Sequence, residues 1–411
     1  MIKDKQYVKF CSYGFLKNLR FFDAFFILFL VEKGLPYTQI GILYAVREIA
    51  INILEVPSGI VADTWGRKSA LTGSFIAYIL SFLVFYFSAD FWWFFLAFIL
   101  YGIGEAFRSG THKGMIMDYL KINHWEDQKI YYYGHTRAWS QKGSAISSLV
   151  AGLIVFYTGM YRDIFLYSVI PYFINLLLIL SYPKELNHSI KPSERTEPGV
   201  GATLRSFWQI IRKPHVLQII NTSALHTAYL KAVKDYIQPL MIHVSLLLPV
   251  LLHVEQEKKN GIVVGALYFF IYLLTSRASQ ISSRVADKSK RNISYTTLLW
   301  GFSFGIFSGV CFYYGLWVVS FVAFVGIYIV ENIRKPILTG FVADRVPNEI
   351  LASVISAQSL LKTVMTAGIA LVFGILADHY GIGVAFVLVS AFLIVSTVTI
   401  NLYRAQNRKQ L

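Results

Sequence analysis

Glu105, Arg108 and His112 stand at i, i+3 and i+7, so one face of a helix would present a carboxylate, a guanidinium and an imidazole together. Lys113 follows directly. Polar stripes of the same kind recur: Lys17, Arg20 and Asp23; Arg47, Glu48, Asn52 and Glu55; His135, Arg137, Gln141 and Lys142; His226, Lys231, Lys234 and Asp235; Gln358 and Lys362. Three kinds of chemistry are open to such groups. An arginine fork grips a carboxylate or phosphate through two parallel hydrogen bonds. A buried carboxylate or an imidazole can take up and release a proton. Opposite charges can also pair and hold helices together.

The surroundings narrow the choice. The stretch before Glu105, FWWFFLAFILY at 91–101, is wholly apolar but for one tyrosine hydroxyl and the indole nitrogens. Across 411 residues the chain is 55% hydrophobic and only 15% charged, against about 25% charged in soluble domains. Apolar runs long enough to cross a bilayer recur from end to end, which implies a polytopic membrane protein. A charge facing lipid at the bilayer centre costs roughly 2.5–3.5 kcal/mol. A dozen would cost on the order of 30 kcal/mol, beyond the ~5–15 kcal/mol margin of a fold. The polar faces must therefore point at one another or line a hydrated path.

An all-α membrane protein with twelve spans follows. The spans are expected near 10–32, 37–62, 69–88, 91–117, 131–157 and 163–182, then near 214–237, 259–284, 293–312, 316–340, 350–376 and 382–403. The polar, Pro- and Gly-bearing stretch 183–205 reads as a linker between an N-terminal six-helix bundle, 1–182, and a C-terminal one, 206–411. The run 238–254, with Pro239 and Pro249, is short and reads as an extension of the seventh helix rather than another span. With the N-terminus inside, the cytoplasmic links and tails hold about twenty Lys/Arg and the opposite links about four, which sets both termini in the cytoplasm. The net charge of +15 comes from these links and stripes, not from a basic arm or a zinc-finger or RNA-binding motif, so nucleic acid is not the partner. Cys11 and Cys311 have no spacing partners for a disulfide or a metal site.

The two halves echo each other. GILY at 41–44 matches GALY at 265–268, and the same offset brings VAD at 61–63 onto VAD at 285–287 and Arg67 onto Arg291. Glu105, Arg108, Gly114 and Asp118 map onto Glu331, Arg334, Gly340 and Asp344 at one common offset, and Lys17 and Arg20 map onto Lys231 and Lys234. Two parallel six-helix repeats are a transporter layout.

SGIVADTWGRKSAL at 58–71 resembles the loop 2–3 signature of the major facilitator superfamily, Gly-x-x-x-Asp-(Arg/Lys)-x-Gly-Arg-(Arg/Lys). Gly59, Asp63, Gly66, Arg67 and Lys68 fill the pattern, and Thr64 departs from the usual base. The second-half echo keeps Asp287, Lys288 and Arg291 but loses both glycines. The resemblance implies a two-bundle fold whose cytoplasmic loop braces helix ends during rocking, with Asp63, Arg67, Asp287 and Arg291 in latch roles; the duplication adds Asp118 and Asp344, which follow the paired charges of each half, as gating residues.

Charges present in both halves serve what both share, so Glu105–Arg108 and Glu331–Arg334 read as i, i+3 ion pairs for packing and gating. Charges present in one half only suit an asymmetric solute. Arg47, Glu48 and Asn52 align with Ile271, Tyr272 and Ser276; His112 and Lys113 align with Leu338 and Thr339; His226 aligns with Ser12. Arg47, Asn52, His112, Lys113, His226 and Lys362 are therefore the expected substrate contacts, with Arg20, Lys231 and Lys234 adding field. Basic groups outnumber acids on these faces, which favours an anionic or zwitterionic solute. No nucleotide-binding loop is present, so an ion gradient is the expected energy source. Asp23, Glu48 and Glu105 are the expected proton carriers, with His112 and His226 as secondary ones and Na⁺ as the other coupling ion to weigh.

The reading is thus a monomeric, multi-pass secondary transporter of the cytoplasmic membrane, without cofactor or metal. Multidrug efflux or lysolipid flipping on the same fold is the alternative. It is disfavoured because the fifth span, SAISSLVAGLIVFYTG at 144–159, lacks the Gly-Pro-x-x-Gly pattern of antiporter branches. A membrane enzyme would need an HExxH helix, which does not occur, or a Gly-x-Ser-x-Gly elbow at a strand-to-helix turn; GFSFG at 301–305 matches in letters but falls inside the expected ninth span.

Overall fold

A computed structural model describes residues 3–187, 214–249, 251, 253–288, 293–345 and 348–407. Side chains are described throughout these except at 56, 63, 129–131, 133, 214–221, 280, 282–288, 293, 336, 339–345, 348–357 and 403–407. Among the described residues the structure is helical, with no strand. The helices are α1 (Lys5–Lys17), α2 (Phe26–Glu32), α3 (Tyr37–Thr64), α4 (Arg67–Phe87), α5 (Phe91–Arg108), α6 (Thr111–Ile122), α7 (Lys129–Thr158) and α8 (Asp163–Leu180). Then come α9 (Pro214–Val233), α10 (Ile237–Leu247), α11 (Gln256–Lys288), α12 (Ile293–Tyr313), α13 (Trp317–Arg345), α14 (Asn348–Tyr380) and α15 (Ile382–Asn407).

Among the described residues, eight helical segments are long and apolar enough to cross a membrane. They cover the expected third, fourth, sixth and eighth to twelfth spans. The expected first, second, fifth and seventh spans fall on α1–α2, α3, α7 and α9–α10, the helices that are broken or carry dense polar stripes. The first span is not one helix: α1 stops at Lys17, where the Asn18 side chain donates to the Gly14 carbonyl at 2.7 Å, and a 3₁₀ turn at Phe21–Ala24 precedes α2. The seventh is broken in the same way by a 3₁₀ turn at Lys234–Tyr236, so the repeat read from the sequence has a structural counterpart. Beyond that turn α10 covers Ile237–Leu247, so the expected extension 238–254 is helical only in its first part and is separated from α9 by the break.

The contacts divide into two compact units. The first comprises Met1–Lys33, Val46–Gly199 and Pro249–Tyr272. In it α4 packs on α5 and α8, and α1 on α7 and α8. Rings from α2, α4, α5 and α8 fill the interior: Phe165 lies 4.7 Å from Phe29 and 4.8 Å from Phe85, and Phe82 lies 4.8 Å from Tyr172. The α4–α5 seam is tied by Ser74 donating to the Gly104 carbonyl at 2.7 Å and Ser81 to the Ala97 carbonyl at 2.8 Å. In hydrocarbon such small residues let helices approach, and their hydroxyls bond across the seam. The start of α11 belongs to this unit and meets α7 where Gly152 faces Gly261 and Gly265.

The second unit comprises Gly34–Ala45, Val200–Leu248 and Leu273–Leu411. In it α12 packs on α13 and α15, and α9 on α14, the same pairing pattern shifted by one six-helix repeat. Ser308 and Ser320 exchange side-chain and carbonyl hydrogen bonds between α12 and α13 at 2.8–2.9 Å. The first nine residues of α3, 37–45, belong here. Asp378 of α14 accepts the Tyr37 and Thr38 backbone N–H groups at 2.7 and 2.6 Å, capping α3 from a distant helix.

Candidate functional site

The fourth span is broken where the sequence expects a continuous helix face. α5 ends at Arg108 and α6 begins at Thr111; between them Gly110 has φ 78°, a left-handed conformation that glycine adopts without strain. The Ser109–Gly110 pair was the legible signal. Glu105 and Arg108 thus end one helix, while His112 and Lys113 lie in the first turn of the next. The start of α6 aims backbone N–H groups along its axis and carries partial positive charge.

A cavity of about 270 Å³ opens here between α1, the α5–α6 break and α7. Lys17, Arg108, His112, Lys113 and Arg137 line it, with Tyr13, Gly110 and Ser140, and among the described residues no carboxylate is in the lining. Tyr13 stacks on His112 at 3.5 Å with ring planes 9° apart, and the Tyr182 hydroxyl lies 3.1 Å from His112 Nε2, so this imidazole is held at both face and edge. Behind the wall runs a charged chain. Arg108 Nη2 lies 2.5 Å from Glu105 Oε2, and Arg108 Nε donates to the Tyr78 hydroxyl at 3.2 Å. Tyr101 donates to Glu105 at 3.5 Å and accepts from Arg20 at 3.2 Å, and Arg20 pairs with Asp23 at 3.1 Å. The i, i+3 pair expected between Glu105 and Arg108 is therefore present. Cations and the first turn of α6 thus stand at the cavity wall, with Glu105, the counter-charge of Arg108, set behind it.

The signature turn is built from two places in the chain. Gly66 has φ 98° and precedes α4. The Asn187 carbonyl accepts from Arg67 N at 2.6 Å, and its side-chain oxygen accepts from Lys68 N at 3.1 Å, so Asn187 caps α4 from the far side of α8. Lys68 Nζ donates to the Leu180 and Tyr182 carbonyls at 2.6 and 3.1 Å, and Arg67 pairs with Asp118 against Gly114. A Cβ on Gly66 would fall on the Asn187 amide. Gly66→Ala is expected to cost about 2 kcal/mol or more through φ strain and this overlap. Thermal unfolding of the purified protein measures it, and a midpoint equal to that of wild type would refute the clasp.

The family model of the Major Facilitator Superfamily matches residues 18–367. The chain belongs to the Major Facilitator Superfamily. It is 23% identical over 406 residues to an uncharacterized MFS-type transporter of Bacillus subtilis (strain 168), YxaM, covering 95% of this chain and 94% of that one. Among solved structures, a mutant of the nucleoside transporter NupG is similar with TM-score 0.77 at 14% identity, over 96% of this chain and 98% of that one. The peptide transporter POT in complex with sulfate is similar with TM-score 0.72 at 12% identity, over 98% and 94%. A D-xylose-proton symporter is similar with TM-score 0.66 at 13% identity, over 96% and 96%. At these identities the likeness of the solved structures is one of fold.

In this superfamily member the expected substrate contacts do not all gather in the cavity. His112 and Lys113 line it. Lys17 and Arg137, which the polar stripes include without assigning them to binding, line it too. In the same unit, Arg47 pairs with the buried Glu48 at 3.3 Å, Asn52 is half-buried one turn further along α3, and Arg20 stands behind the wall. His226, Lys231, Lys234 and Lys362 belong to the second unit. There Lys234 pairs with Asp235 at 2.9 Å, and Asp235 accepts from Tyr44 at 3.1 Å. Lys231 and Lys362 are half-buried on α9 and α14.

The pairing expected between Glu331 and Arg334 is corrected. Glu331 lies 2.7 Å from His226 Nδ1 and accepts from Thr227 at 2.6 Å. Arg334 instead donates to the Ser294 carbonyl and Thr297 hydroxyl at 2.5 Å each, and to the Thr222 carbonyl at 2.8 Å. Spacing put acid and base on one helix, but acceptors on α12 and α9 captured the guanidinium. His226, expected at the substrate, is fully buried in this cluster. The expected latch residues Asp63, Asp287 and Arg291 and the expected gating residue Asp344 lie outside the residues whose side chains are described.

Proposed function

We propose that this transporter moves a small anionic or zwitterionic solute across the cytoplasmic membrane by alternating access, with both termini inside and with proton coupling. The cavity lined by Lys17, Arg108, His112, Lys113 and Arg137, with no carboxylate among the described lining residues, carries the reading. Positive groups gathered on one cavity wall favour a carboxylate or phosphate, and the arginines offer bidentate hydrogen bonds. The α6 N-terminus adds to the same field. A broken helix whose half-helix N-terminus meets an anionic group is a recurring device of secondary transporters. An efflux pump for lipophilic cations would want the opposite sign of charge at this wall.

The test is counterflow in proteoliposomes with a panel of labelled anions, namely inorganic phosphate, short mono- and dicarboxylates and zwitterionic amino acids. Each is assayed with a pH gradient, a Na⁺ gradient or neither. Exchange of at least one of these solutes, accelerated by the pH gradient alone, is expected. Transport of lipophilic cations with no exchange of any panel member would overturn the anion reading. Acceleration by the Na⁺ gradient alone would replace the proton.

A further inference from the structure

We infer that His226 and Glu331 form the proton-carrying pair of this transporter and that the observed packing of α9 against α12 belongs to its unprotonated state. The inference rests on the proton coupling proposed above; it raises His226 from a secondary expected carrier to a principal one and adds Glu331, which the sequence placed only in a gating pair. Asp23, Glu48 and Glu105 each stand beside an arginine, at 3.1, 3.3 and 2.5 Å. Protonating any of them would remove a close counter-charge from a permanently charged guanidinium in a low-dielectric surround. Glu331 differs because its close partner is an imidazole, which can itself be neutral. The nearby arginine, Arg334, is already held by two carbonyls and a hydroxyl.

His226 Nε2 marks which state this is. It is buried and has no hydrogen-bond partner among the described residues, and a Cβ on Gly301 of α12 would fall on it. With Nδ1–H donated to Glu331, Nε2 is a bare nitrogen and the pair carries one negative charge. One added proton brings the pair to neutrality. If it resides on the Nδ1–Oε2 contact, as imidazolium with carboxylate or as imidazole with carboxylic acid, the balance puts an N–H on Nε2. That hydrogen would press on Gly301 with no acceptor, and a buried donor left unpaired is costly. If it resides on Oε1, the hydrogen bond that Thr227 now donates must reverse. Each placement disturbs a contact that holds α9 in place.

The pair is also well placed to act on the helix break. Tyr328, one turn before Glu331 on α13, donates to the Lys234 carbonyl at 2.9 Å, in the 3₁₀ turn between α9 and α10. Helix α13 thus grips α9 through Glu331 and the break through Tyr328. The charged groups acting on the pair are its own two members and Arg334. Tyr229 is the next titratable ring on α9, at 6.3 Å from His226, and donates to or accepts from Ser390. Helix α12 presents Ser294, Thr297, Gly301 and Phe302 to this region, none of them titratable, and α14, packed along α9, carries Lys362.

Hydrogen–deuterium exchange of the full-length protein in nanodiscs, without solute, tests the inference between about pD 5 and pD 8, where imidazoles ordinarily titrate. After correction for intrinsic exchange chemistry, residues 222–233 and 294–305 of the wild type should exchange at least about fivefold faster at the acid end. Glu331→Gln and His226→Gln should abolish that difference, whereas Glu105→Gln should keep it. A flat wild-type profile, or a Glu331→Gln protein with the full acid response, would overturn the inference. If Glu331→Gln does not fold, His226→Gln reads the same titration from the other partner. No solute is present, so failure here leaves the anion reading untouched, and failed counterflow leaves this result untouched.

Discussion

Lys113→Glu and Arg137→Glu should each lower anion transport about a hundredfold or more in kcat/KM, with expression and thermal stability near wild type. Two unit charges about 4 Å apart interact by about 4 kcal/mol at an effective dielectric of 20. Both side chains are exposed, so solvent screening takes a large share of that. Reversal both removes an attraction and adds a repulsion, leaving roughly 2.7 kcal/mol, a factor of about a hundred. Lys113→Gln removes the attraction alone and should cost about tenfold, and Lys113→Arg should retain most flux. Exposure is also why neither change should unfold the protein. Initial-rate uptake in proteoliposomes, normalised to reconstituted protein, reads the effect. Unaltered kinetics in both reversals would remove this cavity from the transport path.

Arg334→Ala should instead be a stability lesion, of about 3–5 kcal/mol. The side chain is 1% exposed, and its three hydrogen bonds join α13 to the Ser294 carbonyl and Thr297 hydroxyl of α12 and the Thr222 carbonyl of α9. Truncation leaves those acceptors without their donor and opens a cavity inside the bundle. Arg334→Lys should recover only part of the loss, because one ammonium cannot span acceptors on two helices as the planar fork does. The apparent unfolding midpoint in detergent measures both variants. An Arg334→Ala midpoint equal to wild type would mean that the three contacts do not hold these helices together.

How far these features could be read in advance differs from residue to residue. The Glu105–Arg108 pair was legible because i, i+3 spacing brings two long side chains together wherever no better partner intervenes. The same spacing misled at Glu331 and Arg334, where Ser294, Thr297 and Thr222 supplied acceptors and His226 supplied a donor from other helices. The break at Gly110 had a local signal, the Ser-Gly pair inside an otherwise helical pattern, outweighed by the apolar run before it. Asn187 capping α4 and Asp378 capping α3 had none: the Asp378 cap joins residues 341 apart in sequence, and no periodicity encodes it.

By itself the sequence determined the solvent, the all-helical class and the family. Apolar runs of bilayer length must become helices, because hydrocarbon offers the backbone no other partner. The charges among them must face inward, and the Gly59–Lys68 signature marks the superfamily. Only the tertiary structure decided which charge meets which: that Lys17, Arg108, Lys113 and Arg137 share one cavity, and that His226 rather than Arg334 meets Glu331. Partner choice is a competition among groups brought close by helix packing, and its winner depends on distances that the order of residues does not contain.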